Sequence, residues 1–179
     1  MILRLLATCA AMALAATPAH AELPKGAKAP VFTAQGALAG KGMAFNLRSA
    51  LAKGPVVLYF YPKAFTQGCT LEANAFAEAM DEFEAAGATV IGMSNDDVET
   101  LKRFSTEHCR DRFPVAAASS KLIRAYDVAL ERDGKKTGLT KRTSYVIAQD
   151  GRIVFVHSDM DYRDHVRLTL AAVKRLKAK

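Results

Sequence analysis

The chain has 179 residues, of which half are apolar and about a quarter are charged. These proportions exclude a disordered chain and a collagen-like repeat, and the length suits one domain with a sizeable buried core. The formal net charge is +7, and six basic residues oppose one acidic residue over positions 163–179. A nucleic-acid binder would group such residues with aromatic side chains on a folded face. The basic tail therefore predicts the solvated end of a C-terminal helix, and no nucleic acid is expected as a partner.

The first 21 residues have the pattern of a secretory signal peptide. Arg4 ends a short positive region, residues 5–16 form an apolar run, and Ala19 and Ala21 supply small residues before a cleavage site. Such a run is too short to span a bilayer, which needs about 20 residues. We therefore expect cleavage after Ala21, a mature domain over residues 22–179, export to a periplasm and no stable membrane contact.

Cleavage would remove Cys9 and leave Cys69 and Cys109 as the cysteines of the mature chain. In an oxidising compartment two cysteines commonly form a structural disulfide, which is one interpretation of this pair. The sequence has no Cys-x-x-Cys, which disfavours a thioredoxin-like disulfide exchanger. No cysteine or histidine pair has the spacing of a zinc site, so no metal is expected.

Hydrophobic periodicity predicts alternating strands and helices over the mature chain. The expected strands cover residues 31–34, 44–47, 56–61, 89–93, 113–115, 144–148 and 153–156. The expected helices cover residues 47–52, 69–86, 97–109, 121–126 and 163–177. A glycine-rich turn at residues 36–42 and a polar loop at 131–141 are expected between them. This order predicts one α/β domain with a central mixed β-sheet flanked by helices on both faces.

The segment between the buried strand at residues 56–61 and the next helix carries the chemistry. Pro62 ends the strand, Thr66 stands where it would cap the helix, and Cys69 falls in the first helical turn. Unpaired N–H groups and the positive end of the helix dipole favour a thiolate there, which is the nucleophilic form. The C-terminal edge of a parallel sheet is also where α/β folds bind ligands. Cys69 could equally be a small core residue without a chemical role, because it lies on the same helix face as Phe76. Its position alone leaves both interpretations open.

The pattern Pro62-x-x-x-Thr66-x-x-Cys69, within the string VVLYFYPKAFTQGCTLEANAF, resembles the active-site signature of peroxiredoxins. The resemblance is to the alkyl hydroperoxide reductase and thiol-specific antioxidant family, and within it to the Q-type or bacterioferritin comigratory proteins. It implies a thioredoxin-like fold and a thiol-dependent peroxidase that reduces hydrogen peroxide and small organic hydroperoxides. It also implies no cofactor beyond the cysteines and a thioredoxin-like or other thiol reductant. We expect a monomer or a weak dimer.

The resemblance also implies a role for each residue of the signature. Cys69 is the peroxidatic cysteine, whose thiolate attacks a peroxide oxygen and becomes a sulfenic acid. Thr66 holds the peroxide, and Pro62 shields the sulfur from bulk water. Backbone N–H groups at Gly68 and Cys69 stabilise the charge that develops on the oxygens. The late arginine of the family corresponds to Arg142, whose guanidinium favours the thiolate and orients the peroxide.

Glu72 matches an acid that orients this arginine in many family members, and a helix-surface glutamate is the alternative. Asn74 occupies the place of a second cysteine found in many Q-type members. In another pattern of the subfamily the resolving cysteine lies on the next helix, and Cys109 is expected near the end of that helix, at a partly accessible edge. A Cys69–Cys109 disulfide is therefore implied, with a one-cysteine mechanism as the alternative. His108 is expected to be a surface histidine.

Two other functions stay open from the sequence. A thiol–disulfide oxidoreductase on the same fold is disfavoured because the chain lacks Cys-x-x-Cys. A non-catalytic exported domain with a structural disulfide is disfavoured because Pro62 and Thr66 stand at the signature spacing from Cys69.

Overall fold

The computed structural model describes residues 22–178, and the predicted signal peptide, with Cys9, lies outside the described residues. The strands in this part of the chain are β1 (Thr33–Leu38), β2 (Lys41–Asn46), β3 (Val56–Phe60), β4 (Thr89–Ser94), β5 (Val115–Ala117), β6 (Ala129–Arg132), β7 (Lys135–Thr140), β8 (Thr143–Ile147) and β9 (Ile153–Ser158). The helices are α1 (Leu47–Leu51), α2 (Gln67–Glu78), α3 (Met80–Ala85), α4 (Val98–Glu107), α5 (Ser120–Ala125) and α6 (His165–Lys177).

Seven strands form one mixed sheet in the order β2-β1-β5-β4-β3-β8-β9. The central strands β3, β4 and β5 run parallel, with Val57 beside Val90 and Gly92 beside Val115. This direction follows from the helices that connect them, since parallel neighbours need a crossover. The outer strands pair antiparallel, β1 with β2 and β5, and β8 with β3 and β9. The predicted α/β class with a mixed sheet is confirmed.

Helices cover both faces of this sheet, as predicted. One apolar core joins residues of α2, α3, α4 and α6 to the face of β3 that carries Val57 and Tyr59. A second core joins residues of α1 and α5 to the opposite face, which carries Leu58 and Phe60. The unbroken apolar run of β3 follows from this position, because a central strand between two helix layers is buried on both sides. The C-terminal end of β3 lies at the side of the sheet where the parallel strands end, and from there the chain continues to Cys69.

The glycine-rich segment at residues 36–42 is not the predicted turn, because most of it lies in strands β1 and β2. The turn between them consists of Ala39 and Gly40, with φ angles of 49° and 72°. Two residues with positive φ match the two-residue turns that suit the twist of a hairpin. Gly36 serves close packing instead, since a Cβ there would lie 2.2 Å from the carbonyl oxygen of Val115.

The prediction of a polar loop at residues 131–141 is wrong, because β6 and β7 form an antiparallel hairpin there. Asp133 and Gly134, with φ angles of 51° and 70°, make its turn. The hairpin is largely exposed on both sides, so its sequence lacks the alternation of apolar and polar residues that marks a half-buried strand.

The expected helix over residues 69–86 is two helices, α2 and α3, which meet at Ala79. Phe76, Met80 and Phe83 are all buried on either side of the break. The apolar stripe therefore continues through the interruption, and hydrophobic periodicity could not reveal it.

We expect Gly92→Ala to lower the free energy of unfolding by roughly 1–3 kcal/mol through overpacking. Gly92 pairs with Tyr59, and a Cβ at position 92 would lie 2.7 Å from the Cζ atom of that ring. The ring cannot move freely, because it stacks on Phe76 with 4.3 Å between centroids. Denaturant unfolding measures the effect, with Gly42→Ala in the exposed strand β2 as the control. A Cβ at Gly42 would meet Lys102 Cε at 3.4 Å, an ordinary contact. Equal stability of the two variants would contradict the argument.

Candidate active site

The candidate site lies at the C-terminal edge of the sheet, where a loop leads from β3 into α2. The N–H of Ala64 in this loop donates to Oδ2 of Asp96 at 2.7 Å, and the Ser94 hydroxyl donates to the same oxygen at 2.8 Å. Asp96 follows β4, so the loop is tied to the neighbouring parallel strand. Helix α2 begins at Gln67, which places Cys69 in its first turn as predicted.

The thiol of Cys69 is in contact with a charged group, the guanidinium of Arg142. Cys69 is 2% exposed and carries a free thiol, and Nη2 of Arg142 donates to its Sγ over 3.5 Å. Arg142 itself is 4% exposed, so its charge acts on the sulfur with little screening by water. The guanidinium is thus the buried positive charge in contact with the sulfur.

The guanidinium is held by two further partners. Its Nη1 forms an ion pair with Oε2 of Glu72, and its Nε donates to the carbonyl oxygen of Met160 at 3.0 Å. Glu72 is fully buried, so it is not the surface glutamate considered above. Burial raises the pKa of Glu72 to about 8, and the charge and hydrogen bond of Arg142 offset only part of that rise.

The other residues of the signature surround the same turn. Thr66 is the N-cap residue of α2, but its hydroxyl donates to the carbonyl oxygen of Lys63 at 3.0 Å and makes no cap bond. The expected side-chain cap is therefore wrong, and the exposed hydroxyl keeps its lone pairs free to accept. Pro62 is half-buried. Gly68 lets the guanidinium approach, since a Cβ there would lie 3.2 Å from Nη2 of Arg142.

Cys109 does not lie at a partly accessible helix edge as expected, because it is fully buried and follows the end of α4. Arg110 and Asp111 have φ angles of 50° and 57°, and this left-handed pair reverses the chain. The N–H of Cys109 still donates to the carbonyl oxygen of Phe104 at 3.1 Å. Burial, and to a smaller degree the charge of Asp111, raises the pKa of the Cys109 thiol, which is free.

An aromatic cluster connects the loop before Cys69 to the end of α4. The Phe65 ring lies 5.3 Å from the rings of Phe104 and His108, with the Arg103 guanidinium 5.1 Å above it. His108 is thus half-buried against aromatic rings instead of standing free at the surface. Phe65 has a φ of 63°, a conformation that is unusual for a bulky side chain.

His165 was not identified from the sequence, although it lies beside Glu72. It is fully buried, and its Nδ1 lies 3.7 Å from Oε1 of Glu72 and 2.7 Å from the Ser144 hydroxyl. Its Nε2 lies 3.0 Å from the carbonyl oxygen of Asp159. Burial lowers the pKa of His165 to about 4, so the ring is neutral at neutral pH.

The signal for His165 was present in the helical pattern of α6. His165, Thr169, Ala172 and Val173 are the buried residues of that helix and follow helical spacing. Val166 and Leu170 lie at the side of this stripe and are partly buried. A histidine in line with core residues indicates a buried polar partner.

Among residues 22–178, no group of three or more histidine, cysteine or acidic side chains is arranged to bind a metal. Within the same residues, none of the helices is both long and apolar enough to cross a membrane.

A thioredoxin-like sheet with a thiol at the first turn of a helix, touched by a buried arginine, is the arrangement of a thiol-based peroxidase. The model of the AhpC/TSA family matches residues 25–156, and the chain belongs to that family. The peroxiredoxin resemblance, the fold and the expected enzyme class are therefore confirmed. The chain is a thiol-dependent peroxidase, and the family implies a peroxide as its substrate.

Relatives of the Q type are among the proteins similar to this chain. Chloroplastic peroxiredoxin Q of Oryza sativa subsp. japonica is 31% identical over 175 residues, covering 89% of this chain and 77% of the relative. Peroxiredoxin Bcp of Xanthomonas campestris pv. campestris is 34% identical over 122 residues, covering 66% and 76%. The crystal structure of peroxidoxin BcpB from Mycobacterium tuberculosis has a TM-score of 0.74 at 30% identity, over 85% of this chain and 97% of that one.

We expect Arg142→Lys to slow the reaction of the reduced protein with hydrogen peroxide roughly ten- to a hundredfold. Hydrogen bonds to charged groups contribute about 1.5–3 kcal/mol, and a lysine cannot reproduce the three-way contact of the guanidinium. Stopped-flow measurement of the second-order rate constant tests this. Arg163→Lys is the matched control, since Arg163 is exposed and pairs with Asp161. A wild-type rate constant for Arg142→Lys would assign the role to another residue.

Proposed function

We propose that Cys69 is the peroxidatic cysteine and that hydrogen peroxide and small organic hydroperoxides are the substrates. The observation that carries this proposal is the 3.5 Å contact between the Arg142 guanidinium and the Cys69 sulfur. The thiolate attacks one peroxide oxygen, the O–O bond breaks, and the sulfur becomes a sulfenic acid. The leaving hydroxide or alkoxide takes up a proton and departs as water or an alcohol.

Several groups around the sulfur suit the proposed attack. The N–H groups of Gly68 and Cys69 belong to the first turn of α2, where backbone donors have no helical partner. They can stabilise charge on the peroxide oxygens. The exposed hydroxyl of Thr66 can accept a hydrogen bond from the peroxide, and Pro62 limits contact of the sulfur with bulk water. Arg142 orients the peroxide and Glu72 positions Arg142.

We further propose that Cys109 resolves the sulfenic acid by forming a Cys69–Cys109 disulfide with release of water. A thioredoxin-like dithiol would then reduce the disulfide and restore both thiols. Both cysteines belong to one apolar core and are buried. A disulfide requires Cα atoms within about 7 Å, so the first turn of α2 and residues 105–112 must rearrange for the bond to form.

Export is a proposal that rests on the sequence of the first 21 residues. Cleavage after Ala21 would deliver residues 22–179 to the periplasm, where a thioredoxin-like protein of that compartment would be the electron donor. A monomer or weak dimer is proposed for the mature chain. The rival functions, a disulfide exchanger and a domain with a purely structural disulfide, predict no rapid loss of peroxide on mixing with the reduced protein.

Cys69→Ser should abolish peroxide turnover while the protein folds normally. A serine hydroxyl supplies no anion at neutral pH, so the nucleophile is lost. Peroxide consumption with excess thiol reductant measures turnover, and circular dichroism checks the fold. Cys109→Ser is the control, because it keeps the nucleophile and should still consume one equivalent of peroxide. Residual turnover above a few per cent in Cys69→Ser would refute the assignment.

One equivalent of peroxide should convert the reduced protein to a monomer with an internal Cys69–Cys109 disulfide. Non-reducing gels and peptide mapping identify the bond. Amide exchange in the oxidised protein should be faster than in the reduced protein at the first turn of α2 and over residues 105–112, because both must open. A peroxide-induced dimer, or a Cys109→Ser variant with undiminished turnover on a dithiol reductant, would support the one-cysteine mechanism instead.

A further inference from the structure

The carboxylate of Asp96 connects the loop before Cys69 to the central sheet. Its Oδ2 atom accepts the N–H of Ala64 at 2.7 Å and the hydroxyl of Ser94 at 2.8 Å. Ser94 is fully buried at the end of β4, and its hydroxyl oxygen also accepts the N–H of Asp96 at 3.4 Å. The acceptor oxygen is therefore oriented by a buried strand, and hydrogen bonds to a carboxylate are stronger than those between neutral groups.

No other hydrogen bond among the described residues joins positions 62–66 to a segment outside β3 and α2, and the Thr66 hydroxyl donates within the loop. The loop also contributes the buried methyl group of Ala64 and the ring of Phe65, which packs on aromatic side chains of α4 and its end. These contacts have little directionality. In this part of the chain, the bond to Asp96 is therefore the directional contact that fixes the loop from outside.

The loop needs such a contact because its backbone is strained. Phe65 has a φ of 63°, in the left-handed region, which is unfavourable for a bulky side chain. A residue in that region keeps its conformation only when the surrounding structure enforces it. Ala64, whose N–H binds Asp96, directly precedes Phe65. Loss of this bond should therefore let the loop relax toward an open conformation.

The proposed cycle requires two conformations of this loop. Attack on the peroxide requires the closed loop of the structure, with Pro62 and Thr66 in the turn that leads to Cys69. Disulfide formation requires the first turn of α2 to open, and the Thr66 carbonyl oxygen accepts the N–H of Thr70 in that turn at 2.8 Å. A contact that is made only in the closed conformation therefore favours the first step and opposes the second.

We propose that Asp96 is a positioning residue that holds the loop closed for peroxide attack and must release Ala64 before the Cys69–Cys109 disulfide forms. The proposal rests on the proposed function, in which Cys69 attacks the peroxide and Cys109 resolves the sulfenic acid. Asp96 acts through the backbone of the loop, and the strength of its bond to Ala64 sets the population of the open conformation.

Asp96→Ala should change the rates of the two steps in opposite directions. Rapid mixing with peroxide, an acid quench and measurement of the intact mass separate the steps, because a sulfenic acid has gained oxygen whereas a disulfide has lost hydrogen. We expect disulfide formation to accelerate roughly tenfold, as for the loss of a hydrogen bond to a charged group. The peroxide reaction should slow by a smaller factor, because the closed conformation remains the major one.

Two further variants separate this role from a general loss of stability. Asp96→Asn keeps an acceptor oxygen for the N–H of Ala64 and should have both rates close to those of the wild type. Asn95→Ala is the matched control, because it removes a hydrogen bond of the same connection, from Nδ2 to the carbonyl oxygen of Gly138 at 3.0 Å. Its partner lies outside the active-site loop, so both rates should stay unchanged.

The proposal would be overturned by a wild-type rate of disulfide formation in Asp96→Ala. An Asp96→Asn variant altered as strongly as Asp96→Ala, or an equal acceleration in Asn95→Ala, would also overturn it. If Asp96→Ala does not fold, Ser94→Ala removes the donor that orients Oδ2 and should accelerate disulfide formation by a smaller factor. A wild-type rate in Ser94→Ala would then count against the role of Asp96.

Amide exchange in the reduced protein tests the same role without peroxide. The N–H of Thr70 reports on the first turn of α2, and we expect it to exchange roughly tenfold faster in Asp96→Ala than in the wild type. Unchanged exchange at Thr70 would overturn the proposal. Failure of the proposed function is a separate result, seen as peroxide turnover by Cys69→Ser or as no internal disulfide in the wild type. In either case the exchange at Thr70 still decides whether Asp96 holds the loop.

Discussion

The guanidinium of Arg142 brings together three parts of the chain that meet at one edge of the sheet. It stands between β7 and β8, contacts Cys69 and Glu72 on α2, and binds the backbone of Met160 in the connection from β9 to α6. A buried charge is unfavourable unless its partners are close and well oriented. Displacement of any of these segments would therefore leave the buried guanidinium without one of its hydrogen-bond partners. This constraint keeps the Cys69 sulfur in contact with the Arg142 guanidinium.

The sheet supplies the rigid part of this arrangement. Strand β3 is buried on both faces, and its antiparallel neighbour β8 begins directly after Arg142. The pairing of Phe60 with Thr143 sets the end of β3, and hence the start of the active-site loop, beside the arginine. The two segments of the candidate site are thus aligned by backbone hydrogen bonds of the sheet, which are more rigid than side-chain contacts between loops.

Much of the site could be predicted from local sequence. The apolar run of β3, the proline that ends it and the helix that follows place Cys69 without any tertiary information. The burial of Glu72 could also have been predicted from the sequence, because Cys69, Glu72 and Phe76 follow helical spacing and share one face of α2. The position of Arg142 depended on the family resemblance, since an arginine in a connection between strands has no periodic pattern.

The position of Cys109 could not be predicted in the same way. Two consecutive residues with positive φ, neither of them glycine, turn the chain inward after α4, and no local signal marks Arg110 and Asp111 as such a pair. The β6–β7 hairpin was missed for a related reason, since its exposed faces remove the hydrophobic pattern. Both features depend on tertiary contacts and turn geometry, which the hydrophobic periodicity of the sequence does not indicate.

The aromatic cluster of Phe65, Phe104 and His108 has a consequence for damage by the substrate itself. In the proposed cycle, residues 105–112 must open before Cys109 can reach the sulfenic acid, and His108 in that segment packs on Phe65 and Phe104. During that delay a second peroxide molecule can oxidise the sulfenic acid to a sulfinic acid, which a dithiol does not reverse. The strength of this ring packing would then set the peroxide concentration at which the enzyme is inactivated by over-oxidation. A more tightly packed cluster would lower that concentration.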